Sequence, residues 1–393
     1  MPRKMGGASC CSALALVLAL ALPMPLNGNS AETAASHVKT GDALYARGDL
    51  AQAEDFYEAA RGIYKSTHGA DHPVMGAVCT KLGALYDAMG NHDKALEAHE
   101  QGLGIVKKTD GEMSEAAAGQ IFNIGNVYWG QNKLQMALDR YKQAHSIYEA
   151  LLGKDSERVG AAQSNMGSIY YLMGKYDKAL EAQEEALRID RTFAKSKAGE
   201  QQAGMSLFNI GQTLHKLNQA GQAEHRYKEA IFYFRRVFGN EHPTIAQVLT
   251  ALASVLADTG MFDQATDAQT QALGMLIKTV GENHPQTAHA IYSFGTLYSK
   301  MGNHQEALES FVDAAGIYTK LAGADAEALG QPYLSAARAK KALGEANGAR
   351  KAAAEALRIF ELHGKDGDAK EVKRFLQQLD MPPTASDLPT PPS

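Results

Sequence analysis

The strongest constraint on this chain is a period. Aligned on Gly167, small residues recur at Gly41, Gly83, Gly125, Gly167, Gly211, Ala253, Gly295 and Ala337, with six intervals of 42 residues and one of 44. Twelve residues past each stands an alanine, at Ala53, Ala95, Ala137, Ala179, Ala223, Ala265, Ala307 and Ala349. Seven further on come Ala60, Gly102, Ala144, Ala186, Ala230, Ala272, Ala314 and Ala356. A fixed period in this range means one supersecondary unit copied along the chain, each copy needing neighbours to bury its apolar face.

The unit is legible in Asn165 to Asp190, NMGSIYYLMGKYDKALEAQEEALRID. Met166, Gly167 and Tyr170 share one face of a first helix, and Ala179, Ala186 and Leu187 share one face of a second. Gly174 ends the first helix, because glycine takes the left-handed cap conformation without steric cost. Its equivalents are Gly48, Gly90, Asn132, Asn218, Gly260, Gly302 and Gly344, residue types that tolerate that cap. A second helix end is marked by Gly69, Gly111, Gly153, Gly239, Gly281 and Gly323. The missing member falls near Lys195, beside the two-residue insertion, so Lys195 to Gln202 reads as a longer polar linker. Prolines cluster at the two ends of the chain, and 45% of residues are hydrophobic against 21% charged. The middle is therefore all-α and long enough to bury a large core.

Residues 1–30 are different in kind. Arg3 and Lys4 precede an apolar run from about Cys10 to Leu22, followed by Pro23, Pro25 and the small residues Gly28 to Ala31. This describes a secretory signal peptide cleaved near Ser30 or Ala31. The run is short for a bilayer span, so an uncleaved anchor is the lesser alternative and no stable membrane insertion is expected after cleavage. Cys10 and Cys11 precede the run, which argues against lipid attachment at the cleavage point. The expected location is exported, periplasmic or secreted, in a bacterial setting. The formal net charge is −5, and loss of Arg3 and Lys4 makes it more negative, against the trend of nucleic-acid binders. Cys79 alone remains after cleavage, so no disulfide framework accompanies export.

The Gly, Tyr, Gly, Ala, Ala ladder resembles the tetratricopeptide repeat. The 42-residue period, with GADHP at Gly69 to Pro73, GNEHP at Gly239 to Pro243 and GENHP at Gly281 to Pro285, resembles the kinesin light chain type of that family. The resemblance covers roughly Ala31 to Gly364 and implies a right-handed α-solenoid of about eight helix-turn-helix repeats over 31–366. Proline suits the first turn of a helix, so His72, His242 and His284 read as structural caps; as a metal site they would have to converge from different repeats. A charged amphipathic helix within 367–380 places Val372, Phe375, Leu376 and Leu379 on one side, suited to covering a solenoid end. The Pro-rich residues 381–393 read as a disordered tail.

No HExxH, GxSxG, GxxxxGK[ST] or paired-cysteine metal motif occurs in the chain. No catalytic residue, metal or cofactor is therefore expected. In this family the first helix of each repeat lines the inner surface, and positions two before, one after and four after the key glycine form one stripe. That stripe is Asn123, Asn126 and Trp129 in repeat three, Asn165, Ser168 and Tyr171 in repeat four, and Asn209, Gln212 and His215 in repeat five. The resemblance implies that Asn123, Asn165 and Asn209 clamp the backbone of an extended peptide, since a carboxamide both donates and accepts. Trp129 and Tyr171 add apolar contact area. The same asparagines could instead bond between neighbouring helices. Elsewhere the ladder gives way to Lys39, Lys81, Ala251, Ser293 and Ser335, and the C-terminal inner face carries Lys216, Tyr292, Lys300, Arg338 and Lys341, which would favour partners with acidic segments. The expected function is a non-enzymatic scaffold that binds a peptide or protein. The alternatives are a structural or oligomerising protein working through its ends or outer faces, and an accessory subunit of an envelope enzyme complex.

Overall fold

The period becomes pairs of helices. The computed structural model describes residues 29–380, and over these the chain forms seventeen α-helices, one short 3-10 turn at Glu327–Leu329 and no strand. Two compact units divide after Thr109. The first holds α1 (Asn29–Arg47), α2 (Leu50–His68), α3 (Pro73–Ala88) and α4 (His92–Thr109). The second holds α5 (Glu115–Gly130), α6 (Leu134–Leu152), α7 (Glu157–Leu172), α8 (Tyr176–Phe193), α9 (Lys197–Lys216), α10 (Ala220–Phe238), α11 (Pro243–Asp258) and α12 (Phe262–Val280). It continues with α13 (Pro285–Met301), α14 (His304–Ala322), α15 (Gly330–Ala342), α16 (Ala346–Leu362) and α17 (Asp366–Asp380). Within each unit an odd-numbered helix pairs with the even one after it, and that even helix packs on the next odd one. The result is an all-α solenoid of hairpins. No helix among the described residues is long and apolar enough to cross a membrane.

Local chemistry sets the boundaries. Every hairpin turn residue from Gly48 to Gly344 has positive φ, including Asn132 at 57° and Asn218 at 58°, the left-handed cap that these residue types accept at least cost. The imidazole Nδ1 of His72, His242 and His284 accepts from the amides of Val74, Thr244 and Gln286 at 3.2–3.3 Å, each with proline as the first helical residue. Where the His-Pro pair is missing, Ser114, Ser156 and Ser196 cap α5, α7 and α9 through Oγ. One helix end that would be unsatisfied is thereby closed in each case.

The key glycine is explained by what lies over it. A Cβ on Gly41, Gly125 or Gly211 would stand 2.5–2.8 Å from the ring of Tyr57, Tyr141 or Tyr227, sixteen residues later. On Gly83, Gly167 and Gly295 it would meet His99, Gln183 and Phe311 at 2.4–2.6 Å. A second ladder, seven residues earlier, escapes the sequence analysis: Ala34, Gly76, Ala118, Gly160, Gly204, Ala246, Ala288 and Gly330 are small in every repeat and all are buried. Phe234 lies over Gly204 and Phe360 over Gly330. The alanines twelve residues past the key position are each 0% exposed, as the packing of two helix axes at close range requires.

The polar linker expected over 195–202 is a correction. Residues from Lys197 onward are the first turns of α9, which at 20 residues is the longest helix, and only Ala194 to Ser196 join it to α8. The insertion lengthens a helix because Ser196 caps it and Glu200, 8% exposed, pairs with Arg236 at 2.5 Å. The same junction buries a carboxylate. Asp190 occupies the place taken by Tyr148 and Phe234 in the flanking repeats, is 4% exposed, and accepts from Ser206 Oγ at 2.6 Å. Burial pushes its pKa from 3.8 up to about 6; the Ser206 hydrogen bond opposes this and the charge of Glu157 adds to it. At the far end, α17 lays Val372 and Phe375 against Leu334, Ala353 and Phe360. The expected leader, save the two residues that open α1, and the expected tail over 381–393 lie outside the described residues.

Two outcomes are expected in thermal or denaturant melts. Gly125→Ala should destabilise by about 1–3 kcal/mol because the Tyr141 ring must move, whereas Gly274→Ala, whose Cβ meets nothing within 4 Å, should stabilise by about 0.5–1 kcal/mol. Asp190 has a raised folded pKa, so its contribution is greatest below the unfolded value of 3.8 and is lost as pH rises through about 6. Asp190→Asn keeps an acceptor for Ser206 and should gain on the order of 1–3 kcal/mol over wild type at pH 8 relative to the comparison at pH 4.

Candidate functional site

The odd-numbered helices of the second unit touch in sequence, α7 to α9, α9 to α11, α11 to α13 and α13 to α15, so the same face of each repeat contributes to one surface. In repeat three that surface is closed by its own side chains. Asn126 Oδ1 accepts from the Tyr141 hydroxyl at 2.7 Å and from Asn165 Nδ2 at 3.3 Å, tying α5 to α6 and α7. Ser168 Oγ bonds back to the Ser164 carbonyl at 3.1 Å. In the first unit Asp42 does the work of Asn126, accepting from the Tyr57 hydroxyl and from Lys81 Nζ, both at 2.7 Å.

Further along, the surface opens. Where Asn165 stands in repeat four, repeats six and seven have Ala251 and Ser293, and the shorter side chains leave a hollow of about 570 Å³ between α7, α9, α11 and α13, floored by Tyr227 of α10 and Gln269 of α12. Of the sequence-derived candidates, Tyr171, Gln212, His215, Tyr292 and Lys300 line it. Asn123, Asn126, Trp129, Asn165, Ser168 and Asn209 do not. Those six are half-buried on α5, α7 and α9, with Asn126 and Asn165 bonded to each other across the helices.

The rim carries the charge. Asp258, at the end of α11, accepts from His215 Nε2 at 2.6 Å and from Lys300 Nζ, joining α9, α11 and α13 through one carboxylate. Partial burial alone would raise the Asp258 pKa, but the hydrogen bonds from Lys300 and His215, with their charges, outweigh it and hold the group below its ordinary 3.8. Lys216 lies on the same wall with no ion-pair partner among the described residues. His289 is open to solvent in the hollow, yet desolvation by the surrounding wall lowers its pKa. Two lysines and two histidines line the hollow and no aspartate or glutamate does. The arrangement can hold a ligand by hydrogen bonds from Gln212, Gln247, Thr250, Ser254 and Ser293 over aromatic area from Tyr171, Phe208 and Tyr292.

Several of these residues were not among the sequence candidates: Asp258, Tyr227, Gln247, Thr250 and His289. Tyr227 and Gln269 come from second helices, which the stripe of first-helix positions leaves out. The usable signal was the switch from asparagine to Ala251 and Ser293, which marks where the surface recedes. Elsewhere, Cys79 is fully buried in α3 and burial pushes its thiol up to about 11, so it is inert packing. No cluster of three or more His, Cys, Asp or Glu side chains suited to a metal ion occurs among the described residues.

A family model described as tetratricopeptide repeat matches residues 32–108, 115–192, 201–278 and 244–320. No curated protein sequence matches the chain. Among solved structures, the apo quorum sensor NprR from B. thuringiensis is similar with a TM-score of 0.66 at 14% identity, covering 83% of this chain and 87% of that one. A tetratricopeptide repeat protein from Parabacteroides merdae gives 0.55 at 15% identity over 78% of this chain and 98% of that one. A Rap protein complexed with competence and sporulation factor gives 0.54 at 14% identity over 88% and 98%. At such identities the likeness is one of fold.

In a titration followed by carboxyl NMR, Asp258 should have its midpoint below 3.8, and Lys300→Met should raise it. A carboxylate with a depressed folded pKa stabilises above its unfolded value and loses that contribution as pH falls through the folded one. The pair is partly exposed, 33% and 42%, so the change in stability at pH 7 should stay under about 1 kcal/mol; an unmoved midpoint would show that the rim network does not form.

Proposed function

We propose, from the premise that the chain belongs to the tetratricopeptide repeat family, that it is a protein-interaction scaffold holding an extended peptide or protein segment in the hollow of α7, α9, α11 and α13. The observation that carries this is the hollow itself: about 570 Å³, within the range of built ligand sites, with hydrogen-bonding side chains set over an aromatic floor. A segment lying across four successive first helices would meet the same kind of wall at each step. The Rap protein named above holds its factor on a fold of this kind, which supports the reading by analogy of fold alone. The work of the site is binding, with Asp258 already accepting from Lys300 and His215 and so not available as a base. The charged leader and apolar run of residues 1–30 support export to the periplasm or beyond, which mass analysis of the mature N-terminus from the native host would test.

Site-specific photo-crosslinking tests the groove. A crosslinker at Ser254, exposed in the hollow, should capture a defined partner segment that one at the exposed Glu309 of α14 does not. Ser254→Trp should reduce capture at least tenfold, with helical content and melting unchanged. Capture undiminished by Ser254→Trp would sink the groove reading.

A further inference from the structure

One position of the repeat changes character at the junction of repeats four and five. Twenty-three residues past the key position, the other repeats of the second unit carry Tyr148, Phe234, Leu276, Tyr318 and Phe360, and repeat four carries Asp190. The carboxylate is 4% exposed, inside the seam where α8 packs on α9. No turn glycine separates these two helices, and Gly199 brings the first turn of α9 so near α8 that a Cβ there would stand 2.0 Å from the Phe193 carbonyl oxygen.

The groups that face Asp190 give it little to hold a charge. From α9 it has the hydroxyl of Ser206, itself 1% exposed, which donates to Oδ2 at 2.6 Å. From α7, a Cβ on Gly160 would stand 3.6 Å from Oδ1, so that helix closes over the carboxylate, and the charge α7 brings to bear is that of Glu157, of the same sign. The cations of this stretch are committed elsewhere: Arg158 of α7 to Glu115, Arg188 to Asp155 and Glu185, Arg191 to Glu229, and Arg236 of α10 to Glu200 of α9. Lys197 of α9 is exposed. A carboxylate withdrawn from water without a counter-ion is costly, whereas the neutral acid is not.

The seam has one further buried tie, Thr213 Oγ1 donating to Gln183 Oε1 at 2.7 Å. On its two sides lie separate parts of the hollow's wall, Tyr171 on α7 and Phe208, Gln212 and His215 on α9. We infer that the α8–α9 seam is an acid-tightened joint: a proton on Asp190 locks the two parts of the wall together, and when the proton passes to water the seam opens locally while the hairpins on either side stay folded. The joint goes beyond the groove reading and stands whether or not the hollow holds a peptide. Closed, the carboxyl has a pKa of about 6; opened to water it returns to its ordinary 3.8. Closure is therefore favoured most below 3.8, loses that contribution as pH rises through about 6, and changes no further above it.

Hydrogen exchange of the full chain, followed by mass spectrometry and corrected for the intrinsic pH dependence of exchange, tests the joint without a ligand. Between pH 4.5 and pH 7.5, protection over residues 186–206 should fall on the order of twentyfold. Protection at the α10–α11 seam, which has Phe234 in the place of Asp190, should change by less than about threefold. Asp190→Asn, which keeps an acceptor for Ser206, should make residues 186–206 equally protected at both pH values. Ser206→Ala removes the hydrogen bond that favours the charged form, so its loss of protection should continue to a higher pH than in wild type, a displacement that mere loosening of the packing would not produce. Protection over 186–206 that is independent of pH, or a pH dependence that survives Asp190→Asn, overturns the joint. An equal fall in every helix also overturns it, since Asp190 would then act on global unfolding alone.

Discussion

The rest of the structure depends on one contact, the side chain of the second helix laid directly on the key glycine of the first. With a hydrogen where a Cβ would be, Gly125 admits the Tyr141 ring at a distance no alanine would allow. The two helix axes are thereby drawn together, and the alanines at Ala137 and Ala144 are sealed completely. Dispersion contacts at this density are individually small and collectively large, and they fail when a single methyl intrudes. The hairpin is thus fixed as a rigid block, and the period of the chain is the period of that block.

Such a block uses up one side of each first helix and leaves the other to vary. In repeats one and three the free side is spent on holding neighbours together: a tyrosine hydroxyl, an acceptor on Asp42 or Asn126, and a donor from the next repeat. In repeats five and six that duty lapses, the side chains of the next repeat shorten to Ala251 and Ser293, and the surface recedes into a hollow; repeat seven resumes it through Tyr292 and Ser335. The rim there is held by charge, with Asp258 gathering His215 and Lys300 from the helices on either side. Binding capacity appears where internal bonding is relinquished.

Much of this was legible from the residues. Gly48, Asn132 and the other turn positions announced left-handed caps, and all have them. His72, His242 and His284 announced helix starts, and all cap. The small ladder from Ala34 to Gly330 was equally periodic but hidden among other alanines. The insertion near Lys195 looked like a loop because it was polar, but polarity does not oppose a helix with a serine cap and an ion pair at Glu200. Of the candidate site, Tyr171, Gln212, His215, Tyr292 and Lys300 come together around one hollow, while Asn126 and Asn165 turn to each other.

The sequence by itself determined the hairpin, its caps and the family to which it belongs, because each follows from spacings within about forty residues and from the steric limits of glycine, alanine and proline. Only the tertiary structure decided which positions of the free face are open. Tyr57 and Tyr141 donate to Asp42 and Asn126 of their own hairpins, and the next repeat adds Lys81 or Asn165 to the same oxygen, whereas Tyr227 faces a hollow. Whether that face closes or opens depends on how successive hairpins stack, which spacing along one hairpin does not encode.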